Sequence, residues 1–323
     1  MKRFLAIVMM VMMMVTSIGC SNQGADQPAD SKDTQGKLKI GFVVKSLSDE
    51  HWLFVKAGAE AAAKEMDVDL EFIGPNKETD VIEQTSMMED MISKNVSALC
   101  VAPSQPDAAV APLSKAVEKG IPVLFIDTDA KLEGKTSFIG TGNYEASKSG
   151  AQYLAKLIGE GGKVVYIRGN LGDATHDART KGAIDGFEEN GITVLDVQPA
   201  NSELDRAMNV MENMIQTHGD EIKGVYSGSD IMALGALRAV EQSGKDIKVL
   251  GFDGTPATIE KTIAGEMVGS VAQSPYNMGY TGVKEAIKAA KGEAVEERID
   301  TGSQLINTEN AEKIMKESEE LLK

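Results

Sequence analysis

Charged and hydroxyl side chains stand at the carboxyl ends of short apolar runs in this chain of 323 residues. Val-Leu-Gly-Phe-Asp-Gly at 249–254 runs into Asp253 and a turn-forming glycine. Pro122–Ile126 runs into Asp127, Gly224–Ser227 leads to Ser229 and Asp230, and Ile40–Val44 leads to Lys45 and then Asp49. An ionised carboxylate accepts two or more hydrogen bonds, and Lys or Arg donates several. Such a set suits a small polar ligand rich in hydroxyls. Charge-assisted bonds contribute about 1.5–3 kcal/mol each where water is excluded. Four or five of them, with an aromatic surface, would reach the roughly −8 kcal/mol of micromolar binding after ordering costs. General acid–base work by the same carboxylates would need two of them beside a bond to be broken, which the sequence does not arrange.

Other chemistries have little to stand on. The sequence lacks Cys-x-x-Cys and His-Glu-x-x-His, and its three histidines, His51, His176 and His218, are scattered, so no metal site is expected. There is no Gly-x-Ser-x-Gly elbow. Gly134-Lys135-Thr136 imitates the end of a phosphate-binding loop, but Asp129 occupies the first glycine position. Gly140-x-Gly142 starts a dinucleotide fingerprint that fails at Glu145. No cofactor and no catalytic residue is expected. A net charge of −16, spread along the chain, argues against nucleic acid, whose phosphates need a basic face.

The elements that must hold these tips alternate. Apolar strands near 38–44, 70–73, 97–101, 121–126 and 137–139 are separated by helical stripes such as Trp52, Val55, Ala59, Ala62 and Met66. The plan restarts at Gly140-Thr141-Gly142-Asn143. Strands at 163–167, 193–197, 225–226 and 248–252 alternate with helices carrying Arg179–Glu189, the stripe from Leu204 to Ile215, and Ala233 to Val240. After 268–273 come a helix from Tyr276 to Ala290, one strand-like piece near 298–306 and an acidic helix from Asn307 or Thr308. This is too little for a third domain. The fold expected is α/β, two doubly wound parallel-sheet lobes joined by a multi-strand hinge, with ligand beyond the strands' carboxyl ends. The lobes are expected over 38–141 plus 274–302 and over 142–273 plus 303–323.

The beginning of the chain reads as a signal peptide over 1–19. Lys2 and Arg3 precede an apolar stretch from Phe4 to Val15, too short to span a membrane comfortably, then small residues before Cys20. Gly19-Cys20 resembles a lipobox, with Ser17 where leucine is usual, which implies lipidation of Cys20 and anchoring to the cell membrane. Residues 20–37 lack apolar periodicity and read as a tether. Cys100, inside an apolar run, reads as a buried structural thiol without a disulfide partner.

From Lys39 to about Asn310 the chain resembles the periplasmic sugar-binding proteins of the ribose- and allose-binding type, the capture components of ABC importers. Ser229–Leu237, Gly251–Pro256 and Ala272–Pro275 carry the resemblance. Lys45–Leu47 with His51-Trp52, and Gly172–Arg179, look closest to the allose-binding branch. The resemblance implies a type I periplasmic binding protein, a monomer outside the cytoplasm, with a monosaccharide or sugar-like polyol as ligand and permease subunits as partners; presentation of ligand to a chemoreceptor or histidine kinase is the alternative role. It implies that Lys45 donates to sugar oxygens, that His51 and Trp52 stack on the sugar, and that Asp127, Arg179, Asp253 and Gln273 supply polar contacts. Asp49 stands where the family usually has asparagine, Ser229 replaces an asparagine, and Ser202 replaces an aromatic wall. Those departures suggest a larger polyol, a cyclitol or a modified sugar, and the excess of acids admits an amine-bearing ligand. Read without the resemblance, Trp52 also fits a core position, Arg179 an exposed ion pair, Asp253 a plain turn residue and Asp230 an N-cap.

Overall fold

Unbroken apolar runs become fully buried strands, as a sheet covered on both faces requires. In the computed structural model, which describes residues 37–321, two six-stranded sheets share one strand order. The first comprises β1 (Lys39–Val43), β2 (Asp69–Ile73), β3 (Ala98–Val101), β4 (Val123–Ile126), β5 (Ser137–Gly140) and β11 (Arg298–Asp300), ordered β2-β1-β3-β4-β5-β11. The second comprises β6 (Lys163–Arg168), β7 (Thr193–Pro199), β8 (Gly224–Ser227), β9 (Lys248–Asp253), β10 (Gly269–Ala272) and β12 (Gln304–Ile306), ordered β7-β6-β8-β9-β10-β12. Every pair is parallel except β10 with β12. In each sheet the order reverses beside the first strand, which is where such folds open a crevice.

Helices α1 (Glu50–Glu65) and α9 (Pro275–Ala290) cover one face of the first sheet, and α2 (Val81–Ser93) and α3 (Pro106–Glu118) the other. The second sheet lies between α4 (Asn143–Ile158) with α5 (Ala174–Glu188) and α6 (Leu204–His218) with α7 (Asp230–Ser243). Short α8 (Pro256–Ile263) and the last helix, α10 (Ala311–Leu321), share a small core of Ile259, Ala272, Ile306, Ala311 and Ile314. The tightest helix contact is between α1 and α9. A Cβ on Gly58 would lie 1.9 Å from the Tyr276 carbonyl oxygen, and one on Gly279 would lie 1.9 Å from that of Val55. Only glycine allows these backbones to meet.

The chain passes from one sheet to the other after β5, after β10 and between β11 and β12. The single strand-like piece expected near 298–306 is therefore two strands, one in each sheet, broken at Gly302, whose φ of 80° turns the chain. Helix α8, announced by Pro256 at its first turn, has no counterpart in the periodicity reading because it spans little more than two turns. The terminal helix starts at Ala311, a turn later than the acidic composition suggested. Cys100 is buried in β3, its thiol donates to the Gly282 carbonyl at 3.5 Å, and burial pushes its pKa up. The expected leader, Cys20 and all of the tether but Lys37 lie outside the described residues.

Candidate functional site

Apolar strands deliver polar tips because the hydrophobic alternation ends where the sheet ends. Lys45 follows β1, Asp127 follows β4 and Asp253 closes β9. The two acids leave their strands with φ of 63° and 126°, a region that side-chain-bearing residues rarely adopt. Such conformations cost about 1–3 kcal/mol each and persist only where surroundings enforce them. Here the gain is direction: both carboxylates line one pocket between the two sheets' carboxyl ends. Lys45, Asp49, His51, Trp52, Arg179, Ser229 and Gln273 line it as well. Every ligand-contact residue expected from sequence thus lines one pocket, from both sides of the cleft.

From the first lobe, Lys45 is buried, with Nζ 2.6 Å from Asp173 Oδ2 and 3.5 Å from Asp127 Oδ2. Burial would depress the ammonium, but Asp173, then Asp127 and Glu78, outweigh it and raise its pKa. Burial would likewise raise Asp127; Lys45, His51 and Arg179 win and hold it at about 2. Asp49 caps α1 by accepting the His51 amide, which turns His51 and Trp52 onto the cavity wall. The two rings meet edge to face at 4.9 Å. Trp52 belongs to the core cluster and lines the cavity as well.

From the second lobe, Arg179 sits in the second turn of α5, buried rather than in an exposed ion pair. Its guanidinium lies 3.9 Å over the Phe252 ring and donates to Asn143 Oδ1 at 2.8 Å and the Gly228 carbonyl at 2.9 Å. It also reaches Asp253 Oδ1 at 3.4 Å and, across the cleft, Asp127 at 4.0 Å. Asp253 accepts Gln273 Nε2 at 2.7 Å and the Asp230 amide at 3.3 Å, so it is more than a turn residue. Asp230 does not cap its own helix. Ser229 holds that position, and the Asp230 carboxylate accepts the Thr255 amide, the Thr258 hydroxyl and the Ser270 hydroxyl, pinning the turn that follows β9. Burial first, then the charge of Asp253, pushes Asp230 up to about 7.

Glu78, Thr175 and His176 also line the cavity without having been assigned a role from sequence, and Ser202, at the position of the family's aromatic wall, lines it too. Glu78 lies in the loop beyond β2, well past the strand's last residue, Ile73, so no strand end marks it. Thr175 meets Thr128 at 2.5 Å across the cleft, and the Thr128 hydroxyl donates to Asp127. His176 is neutral: burial chiefly lowers its pKa to about 3. Glu78, Asp173 and His176 offer ligand atoms within 4.8 Å of one another, yet Lys45 already sets its ammonium against Asp173.

Residues 40–294 match the family described as periplasmic binding protein domain. The chain belongs to the periplasmic binding protein family. Its two sheets with flanking helices are the type I form of that fold. Among curated relatives, the D-allose-binding periplasmic protein of Escherichia coli (strain K12) is 33% identical over 264 residues, covering 78% of this chain and 85% of that one. The ribose import binding protein of the same organism is 30% identical over 277 residues, covering 85% and 93%. A solved carbohydrate transporter solute-binding protein from Agrobacterium radiobacter, in complex with D-arabinose, superposes with a TM-score of 0.83 at 30% identity, covering 90% of this chain and 100% of that one. Membership in this periplasmic family puts the chain outside the cytoplasm, in a family that binds solutes.

Proposed function

We propose that this chain captures a monosaccharide or sugar-like polyol between its lobes, taken as 38–141 plus 274–302 and 142–273 plus 303–323, and delivers it to an ABC importer. The observation that carries the reading is the shared cavity. Hydroxyl-binding groups from both lobes, with Trp52 beside them, line this one polar pocket. The relatives named for allose, ribose and arabinose supply the ligand class. In this reading Lys45, Asp49, His51, Asp127, Arg179, Ser229, Asp253 and Gln273 bind the ligand, and the second lobe closes over what the first lobe holds. A ligand favours closure only as far as it binds the closed form better. The ligand leaves chemically unchanged, as a transport protein requires. The leader and Cys20 make the protein a monomeric lipoprotein of the cell membrane, a part of the proposal that mass spectrometry of the membrane fraction tests through the mass of the N-terminal peptide.

Thermal shift across pentoses, hexoses, cyclitols, nucleosides and amino acids tests the ligand class. Stabilisation by at least one sugar or polyol is expected; stabilisation by amino acids alone contradicts it.

A further inference from the structure

Four carboxylates, those of Asp49, Glu78, Asp127 and Asp253, line the cavity against the cations of Lys45 and Arg179. Both cations are engaged: Lys45 with Asp173 and Asp127, Arg179 with Asp253 and Asp127. Asp49 and Glu78, among the described residues, have no Lys, Arg or His nitrogen within 4.0 Å. Asp49 gives one oxygen to the His51 amide at 3.0 Å, and Glu78 receives Asn170 Nδ2 at a long 3.4 Å. On the same cavity, three side chains at least nine-tenths buried carry polar atoms without partners among the described residues: both ring nitrogens of His51, Ser229 Oγ and Gln273 Oε1. A second pocket shares Asp49, Glu78 and Ser202 with the first, so space continues past the two acids.

We propose that the ligand is a sugar or cyclitol bearing a primary amine, its ammonium seated between Asp49 and Glu78 while its hydroxyls meet Ser229, Gln273, Lys45 and Arg179. The proposal rests on reading the cleft as a polyol site. Its physical ground is charge balance on closure. Lys45 acts on Glu78 but is already paired with Asp173 and Asp127, so a neutral ligand would add only hydroxyls beside the two acids, whereas one ammonium answers both. Burial first, then Asp253 and Glu78, raises Asp49; burial raises Glu78 as well, despite the opposing pull of Lys45. His51, kept neutral chiefly by burial, offers an acceptor nitrogen to the same group.

Calorimetric titration of the purified protein with matched pairs decides it: D-glucosamine with D-glucose, D-galactosamine with D-galactose, and an aminodeoxyinositol with myo-inositol. In at least one pair the amine is expected to bind tenfold or more tighter, with the preference falling to a few-fold or less in Asp49→Asn and Glu78→Gln. Asn retains the cap of α1, and the Glu78 side chain is only partly buried, so both variants should fold; thermal melts verify this. Neutral members binding as tightly as their amines would overturn the inference and leave the polyol reading standing. A preference unchanged in both variants would overturn the ammonium's placement. Failure of every member, with another class of solute binding instead, would overturn both.

Discussion

Arg179 spends its donors on three different partners, Asn143, Gly228 and Asp253, and still faces Asp127 over the gap. A planar fork can do this and a single ammonium cannot. Arg179→Lys is therefore expected to weaken ligand affinity by tenfold or more, about 1.4 kcal/mol, almost as severely as Arg179→Ala. Asp253→Ala should do the same, and melting curves run alongside separate lost binding from lost folding. His176 gives a pH signature. Its pKa in the fold, about 3, lies below the ordinary 6.5, so the unfolded chain binds the extra proton between those values. Stability from keeping the ring neutral is complete above pH 6.5 and is lost as pH falls towards 3. In urea unfolding across that window, His176→Asn should lose less stability than the parent, by at most about 1.4 kcal/mol per pH unit. Equal slopes would show that the ring is not held neutral.

Helix α1 presents His51 and Trp52 to the cavity from its first turn and is anchored to α9 farther along by Gly58 and Gly279. Gly58→Ala would raise intrinsic helix propensity by nearly 1 kcal/mol, yet its methyl would collide with the Tyr276 carbonyl. Overpacking of this kind typically costs 1–3 kcal/mol, so a net fall in melting temperature is expected. An unchanged melt would mean the helices separate freely. Much at this level was legible: β3, β4, β8 and β9 are buried apolar runs, and a run that stops on Asp127 or Asp253 marks its own strand end. What stayed hidden has physical reasons. β2 is a partly exposed edge strand whose sequence does not end abruptly, so Glu78 in the following loop carried no signal. The split of 298–306 follows from a single glycine turn between two strands of three residues each, shorter than any periodicity can register.

Across the whole molecule the lobes meet through Lys45 with Asp173, Thr128 with Thr175, and Gln105 Nε2 with the Leu171 carbonyl. Lys45 and Asp173 stand 128 positions apart, so no local pattern could pair them, although each lies in a stretch whose family resemblance was plain. Asp173→Asn removes the buried partner of Lys45 and should shift the lobes towards an open arrangement. Small-angle scattering should then report a larger radius of gyration without ligand, and ligand affinity should fall. The direct test of ligand capture between the lobes is calorimetric titration of the unsubstituted protein and Arg179→Ala with neutral sugars, amino sugars, cyclitols and amino acids. One-to-one binding of at least one sugar or cyclitol, weakened tenfold or more in Arg179→Ala, is expected; binding of none of them, or binding that Arg179→Ala leaves untouched, would contradict it.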